Sequence, residues 1–389
     1  MIGTAKNHLM NTVGRFDNVF VKGKGCELFD KDGTRYLDFI SGIAVNCLGH
    51  SSPVVLNALN KQASKIMQIS NYCFSEANLE LAEKLCEYSG DHDYAFFCNS
   101  GTEAVEAALK LSRKYGMRTG NKNKNVLVHM ENSFHGRTMG ALSVTGRKKY
   151  QKDFEPLIGG VKSAVFNDIE SLKKVMDDNV CGVILEPIQG EGGLIVADKE
   201  YLNEVRALCD KFNALLIFDE VQCGIGRTGK LFAYKNFDVV PDIVCMAKAL
   251  AGGFPIGAII SNKRAGTFEP GDHNSTFGGN ALACAVSLAV LHELVEGGVV
   301  DKVNEKSRYF VHKLEELKEK HSVIKDIRGM GLLLGIRVGV EPHVIINKCY
   351  DKKLLLISAG ADVIRFLPPL NVENKYIDEA CEILDEVLE

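Results

Sequence analysis

The chain has 389 residues, 46% of them hydrophobic, enough to bury a large core and to divide into two domains. A formal net charge of −4 leaves no basic excess for gripping nucleic acid or an anionic membrane, so the expected partner is a small molecule. The opening Met1-Ile2-Gly3-Thr4-Ala5-Lys6 lacks the apolar core of a secretory signal, and no apolar run approaches the length of a membrane span. A cytoplasmic location is the expectation.

Between about residues 90 and 265, short apolar runs alternate with amphipathic stretches. Residues 94–97, 125–129, 182–185, 214–218 and 243–246 read as strands, and their near-continuous apolar character fits a sheet covered on both faces. Helical spacing separates them, as in Ala104-Val105, Ala107-Ala108 and Leu111, or Leu202, Val205 and Leu208-Cys209. This rhythm predicts an α/β core with a mostly parallel sheet. After about residue 300 the texture changes to a charged helix (313–317), short strands (332–337) and a closing helix (377–388). The expected division is an N-terminal segment, 1–50, contributing to a smaller α+β domain, a large domain over 51–295, and a C-terminal small domain over 296–389. The twelve cysteines are scattered without a C-x-x-C pair, which argues for reduced, buried thiols and against a metal or redox site.

Several segments carry polar groups where a buried strand ends. Ser100-Gly101-Thr102-Glu103 has the spacing of a capping box opening a helix. Alone it reads as an ordinary capped helix; after a strand it also offers N–H groups and a dipole to an anion. Phe134-His135-Gly136-Arg137 joins an aromatic face to a guanidinium, although a solvated turn explains it as well, and His135 by itself supports no ligand role. Glu186 to Gly193 sets two acids and three glycines after a strand. Asp219 closes another strand and, if buried, needs a cationic partner; capping the next helix is an equal alternative. Gly224 to Gly229 matches G-x-G-x-x-G but does not follow directly on a strand, so a glycine-rich active-site loop accounts for it better than a dinucleotide site. Lys248 follows the apolar run 243–247. Burial there favours a neutral amine, which is a nucleophile toward carbonyls. Ser275-Thr276 offers two hydroxyls, and Arg365 is a lone charge in an apolar run that calls for a carboxylate.

In this order, the segments 36–46, 97–104, 133–138, 186–193, 219–222, 247–248 and 275–280 resemble the class III pyridoxal-phosphate aminotransferases, over nearly the whole chain. The resemblance implies a fold-type I enzyme with a mostly parallel seven-stranded sheet, working as a homodimer with active sites at the subunit interface. Its cofactor would be pyridoxal 5'-phosphate, held as a Schiff base on Lys248, which also shuttles the proton. Asp219 would pair with the pyridine nitrogen, Gln222 would lie near the ring oxygen, and Val221 and Phe134 would sandwich the ring, with Glu220 also among the cofactor-binding residues. Gly101 and Thr102 would hold the phosphate together with Thr276 of a second copy. Arg137 and Ser275 would bind substrate, and Arg365 the α-carboxylate of the oxoacid, with Glu191 as its alternate partner. The implied reaction moves the terminal amine of N2-acetylornithine to 2-oxoglutarate, in arginine biosynthesis. Relatives acting on free ornithine carry a tyrosine near residues 41–44, and its absence here favours an N-acylated donor. Succinylornithine, N-succinyl-diaminopimelate and 4-aminobutyrate remain alternative donors, and a nicotinamide-dependent dehydrogenase is the alternative of another class.

Overall fold

The computed structural model describes residues 8–389. Its centre is a seven-stranded sheet made of β1 (Tyr94–Cys98), β2 (Val126–Met130), β3 (Val161–Ala164), β4 (Val180–Leu185), β5 (Leu215–Asp219), β6 (Ile243–Met246) and β7 (Gly257–Ser261). The strand order is β1-β7-β6-β5-β4-β2-β3. Only β7 runs antiparallel to its neighbours, β6 and β1; the other pairings are parallel. Every residue of β4 to β7 is buried, as a sheet covered on both faces requires.

Five of these strands are the apolar runs expected from the sequence. The other two lacked that signature for physical reasons. Strand β3, Val-Lys-Ser-Ala, is an edge strand whose two central residues are polar. Strand β7 follows the segment Gly252-Gly253-Phe254-Pro255, whose turn chemistry masks the strand that comes after it.

Helix α1 (Gly101–Arg118) leaves β1 and lays Ala104, Ala108 and Leu111 into the core. Helix α2 (Ala281–Val295) is buried on nearly all sides and packs on the turn Lys248–Ala251, which fixes that turn from behind. Toward the C-terminus, β8 (Ile324–Met330), β9 (Leu333–Val338), β10 (Ile357–Ala359) and β11 (Val363–Phe366) form an antiparallel sheet in the order β8-β9-β11-β10. The N-terminal strands Phe20–Lys24, Glu27–Asp30 and Arg35–Asp38 make a further sheet, completed by Leu354–Leu355 parallel to Arg35–Asp38. The strands of residues 20–38 are thereby tied to the last hundred residues of the chain.

No single helix among the described residues is long and apolar enough to cross a membrane. All twelve cysteines are free, with Cys73 exposed, Cys86 half-buried and the rest buried. Burial pushes thiols such as Cys98 and Cys181 up to about 12, which keeps them protonated and unreactive.

Candidate active site

A cavity of about 450 Å³ opens where β1, β2, β4, β5 and β6 end. In an open α/β sheet, the carboxyl ends of the strands are where loops of different origin converge.

Lys248 sits two residues past β6, at the start of the short turn Lys248–Ala251, with φ at +41°. A left-handed lysine costs roughly 1–2 kcal/mol, and the buried neighbours Ala249, Leu250 and Ala251 hold it there. Its amine is pushed down to about 8, chiefly by burial and then by the charge of Arg365. Glu191, Asp219 and Glu186 pull the other way. The amine is therefore partly neutral near neutral pH, as a nucleophile must be.

Asp219, the last residue of β5, is buried. One carboxylate oxygen accepts the Val221 N–H at 3.0 Å and the other accepts from His135 Nδ1 at 2.7 Å. A carboxylate can only accept, so His135 carries its proton on Nδ1. Its Nε2 is buried without a hydrogen-bond partner among the described residues. Glu186, just past β4, accepts the N–H groups of Phe134 at 3.0 Å and Gly190 at 3.3 Å, joining two of the lining loops. Burial raises its carboxyl to about 7 against the opposing pull of His135, with Asp219 adding to the rise.

Across the cavity stands the first turn of α1. The Ser100 hydroxyl accepts the Glu103 N–H, while the Glu103 carboxylate reaches back to the backbone and side-chain amides of Asn99. The return contact of the cap thus falls one residue earlier than its spacing suggests, on Asn99 rather than Ser100. Helix geometry leaves the N–H groups of Gly101 and Thr102 without intrahelical acceptors, and both residues line the cavity. A Cβ on Gly101 would lie 2.7 Å from Val221 Cγ1, so only glycine lets these two lining walls meet.

Arg365, in β11, is fully buried. It pairs with Glu191 at 2.7 Å, and donates to Gln222 Oε1 at 2.8 Å and to the Ser358 carbonyl at 3.3 Å. Burial alone would raise the Glu191 carboxyl; the Arg365 guanidinium outweighs it and holds the group below its ordinary value.

Residues 10–388 match the family model of class III aminotransferases. The chain belongs to the class III aminotransferases. It is 59% identical to an acetylornithine aminotransferase of Clostridium acetobutylicum, over 98% of this chain and 99% of that one. It is 44% identical to a succinylornithine transaminase of Yersinia pseudotuberculosis, covering 95% and 92% of the two chains. Among solved structures it superposes with a TM-score of 0.94 on an ornithine aminotransferase of Toxoplasma gondii, 30% identical, covering 100% and 93% of the chains. That enzyme was crystallised in the presence of oxidised glutathione, with partial occupancy of PLP at its active site.

In this class III aminotransferase, nine of the residues singled out from the sequence line the one cavity: Gly101, Thr102, Phe134, Arg137, Glu191, Asp219, Val221, Gln222 and Lys248. Arg365 stands directly behind Glu191 and Gln222. Ser275 reaches the site through Asn99, whose side chain donates to its hydroxyl at 3.1 Å. Two residues are not brought to the cavity. Thr276 is exposed, its carbonyl bonded by the Gln68 amide. Glu220 points into the core, where it accepts the N–H groups of Ala233 and Tyr234 at 2.6 and 2.7 Å, and burial raises it to about 8. The glycine-rich loop 224–229, expected at the active site, also turns away. Its Arg227 is buried and donates to the Leu332 and Pro368 carbonyls at 3.0 and 2.6 Å, bracing the C-terminal part of the chain. Sequence reasoning gave no individual role to His135, Glu186 or Asn99. A buried Asp219 did call for a donor, but the choice of His135, 84 positions away, belongs to the tertiary fold.

Proposed function

We propose that this aminotransferase uses pyridoxal 5'-phosphate to move the terminal amine of N2-acetylornithine to 2-oxoglutarate, giving N-acetylglutamate 5-semialdehyde and glutamate. We read it as a cytoplasmic enzyme of arginine biosynthesis. The observation that carries the reading is the Lys248 amine, lowered to about 8, in one cavity with Asp219 and the first turn of α1. The residues present fit the cofactor. The bare Cα of Gly101 lets Val221 close against the first turn of α1, whose N–H groups lack intrahelical acceptors, and the buried Asp219 lines the same cavity. When bound, the cofactor supplies a carbonyl carbon that accepts the amine and a cationic ring that withdraws electrons.

The chain's own groups then divide the work. Lys248 Nζ holds the cofactor covalently and, once released, takes the proton from the donor carbon that bears the transferred amine. Asp219 accepts from the pyridine N–H, with His135 fixing its orientation at 2.7 Å. Val221 and Phe134 flank the ring. Gln222 has its oxygen committed to Arg365, which leaves its NH2 to donate toward the ring oxygen. Gly101 and Thr102 bind the phosphate.

The exposed Thr276 serves the phosphate of a second copy in a homodimer. Its neighbour Phe277 and the equally exposed Tyr72 and Phe74 support an apolar face of that kind. Arg137 and Ser275 bind the donor. Arg365 takes the α-carboxylate of 2-oxoglutarate, and Glu191 covers Arg365 while the donor, with a single carboxylate, is bound. Residues 41–44, near which free-ornithine enzymes carry a tyrosine, hold none, and the adjoining Val45 lines the cavity, which supports an acylated donor. The succinylornithine transaminase at 44% identity makes succinylornithine the alternative.

A donor screen with 2-oxoglutarate as acceptor tests this. Acetylornithine is expected to exceed succinylornithine, ornithine and 4-aminobutyrate in kcat/KM by about tenfold or more, the discrimination one well-fitted pocket supplies. A preference for 4-aminobutyrate would overturn the donor and leave the transamination standing.

A further inference from the structure

Tyr150 lies in the short helix Lys148–Gln151, outside every segment that carries the family resemblance. The side-chain amide of Gln151 anchors that helix, donating to the Leu142 and Thr145 carbonyls at 3.0 Å each. From this position the Tyr150 ring meets both aromatic and cationic groups of the cavity rim. The Arg137 guanidinium carbon lies 3.8 Å from its centroid, and the Phe134 ring meets it edge-on at 6.1 Å and 84°. Arg137 itself is exposed, and among the described residues no carboxylate pairs with it. Its guanidinium lies over the rings of Tyr150 and, at 5.5 Å, Phe134. Arg147 stands 5.9 Å from the same ring and donates to the Glu191 carbonyl, so the surroundings are basic.

A guanidinium over an aromatic ring loses rotamer freedom while its N–H edge stays available. Ordering that side chain in advance removes a cost otherwise met when the ligand binds. We propose that Tyr150 is a positioning residue that holds Arg137 as a preformed clamp for the donor's α-carboxylate, and thereby sets the preference for donors that carry one. The inference rests on the reading of acetylornithine as donor and Arg137 as its carboxylate partner.

The test compares acetylornithine with N-acetylputrescine, the same molecule without its carboxylate, in the cofactor-loaded enzyme. Tyr150→Leu is expected to raise KM for acetylornithine about tenfold with kcat within a factor of about three, the scale of one cation–π contact. Turnover of N-acetylputrescine should not change. Tyr150→Phe, which keeps the ring, should behave as wild type, and Tyr150→Gln reads the same contact if the leucine variant does not fold. Binding of N-acetylnorvaline, which lacks the reacting amine, should weaken in parallel with KM. Loss of both donors in equal proportion, or an unchanged ratio between them, would overturn the role of Tyr150. A wild-type enzyme inactive on acetylornithine would instead remove the donor assignment on which the proposal stands.

Discussion

On the floor of the cavity, each group is held by partners that are buried or half-buried. Asp219 is fixed by His135 and the Val221 N–H, Lys248 by the packed turn beneath it, and the first turn of α1 by the Ser100–Glu103–Asn99 cap. At the rim the same chain uses looser devices. Arg137 is exposed and rests on two rings, and the Arg365–Glu191 pair has one fully buried member and one that reaches the cavity. On the proposed function, the floor presents a fixed shape to one unchanging molecule, the cofactor. On the same reading, the rim accepts two substrates in turn, with one carboxylate and then two. Rigid positioning suits the first task and exchangeable ion pairs the second.

The largest effects should come from the floor. Lys248→Ala is expected to lower turnover by about four orders of magnitude, since both the covalent and the proton-transfer roles are lost. The loaded variant should also lose the yellow colour of the lysine-linked cofactor; a yellow, active variant would refute the assignment. The lowered lysine adds a pH signature in the apoenzyme. With the amine near 8, the rate of cofactor uptake should rise about tenfold from pH 7 to 9 and then level off. An ordinary lysine would give a rise of about a hundredfold over the same range, still climbing at pH 9.

Next in size is the junction between α1 and the loop after β5. Gly101→Ala places a methyl group 2.7 Å from Val221 Cγ1 and 3.0 Å from Cγ2, and a β-branched valine cannot swing away freely. Overpacking of this kind costs about 2 kcal/mol, roughly thirtyfold in the Kd for cofactor. Adding Val221→Ala should recover most of that loss in a titration. If the double variant bound no better than the single one, the steric account of this glycine would be wrong.

The same contrast explains what could be read from the sequence. Floor residues follow directly on buried strands, so apolar runs at 214–218 and 243–246 locate Asp219 and Lys248, and the cap spacing locates Gly101 and Thr102. Their roles came from the family resemblance, because a strand-end aspartate or a capped helix is chemically ambiguous alone. Rim partnerships join separate segments: Arg365 meets Glu191 and Gln222 from the far end of the chain, and Tyr150 reaches Arg137 from a short helix that no motif marks. Glycine-rich 224–229 misled in the opposite sense. Its pattern suggested the active site, whereas its arginine is spent on two backbone carbonyls of the C-terminal region.

The smallest of these effects, and the one that separates rim from floor most sharply, concerns Glu191. Glu191→Ala removes the cover from Arg365 without touching the residues that hold the cofactor. In single-turnover mixing, the donor half-reaction should slow by about tenfold, the scale of one charge-assisted contact, while the half-reaction with 2-oxoglutarate holds its rate. A second consequence must be kept apart from the first. The Glu191 charge raises Lys248, so its removal lets the amine fall further below about 8 and increases the neutral fraction at neutral pH. Measuring both half-reactions at pH 9, where the amine is neutral in either protein, removes that contribution. Equal slowing of both halves would make Glu191 a mere support for Arg365, and no change in either would end the idea of a switch. A difference confined to the donor half would mean that the exchangeable rim pair, rather than the fixed floor, distinguishes the two substrates.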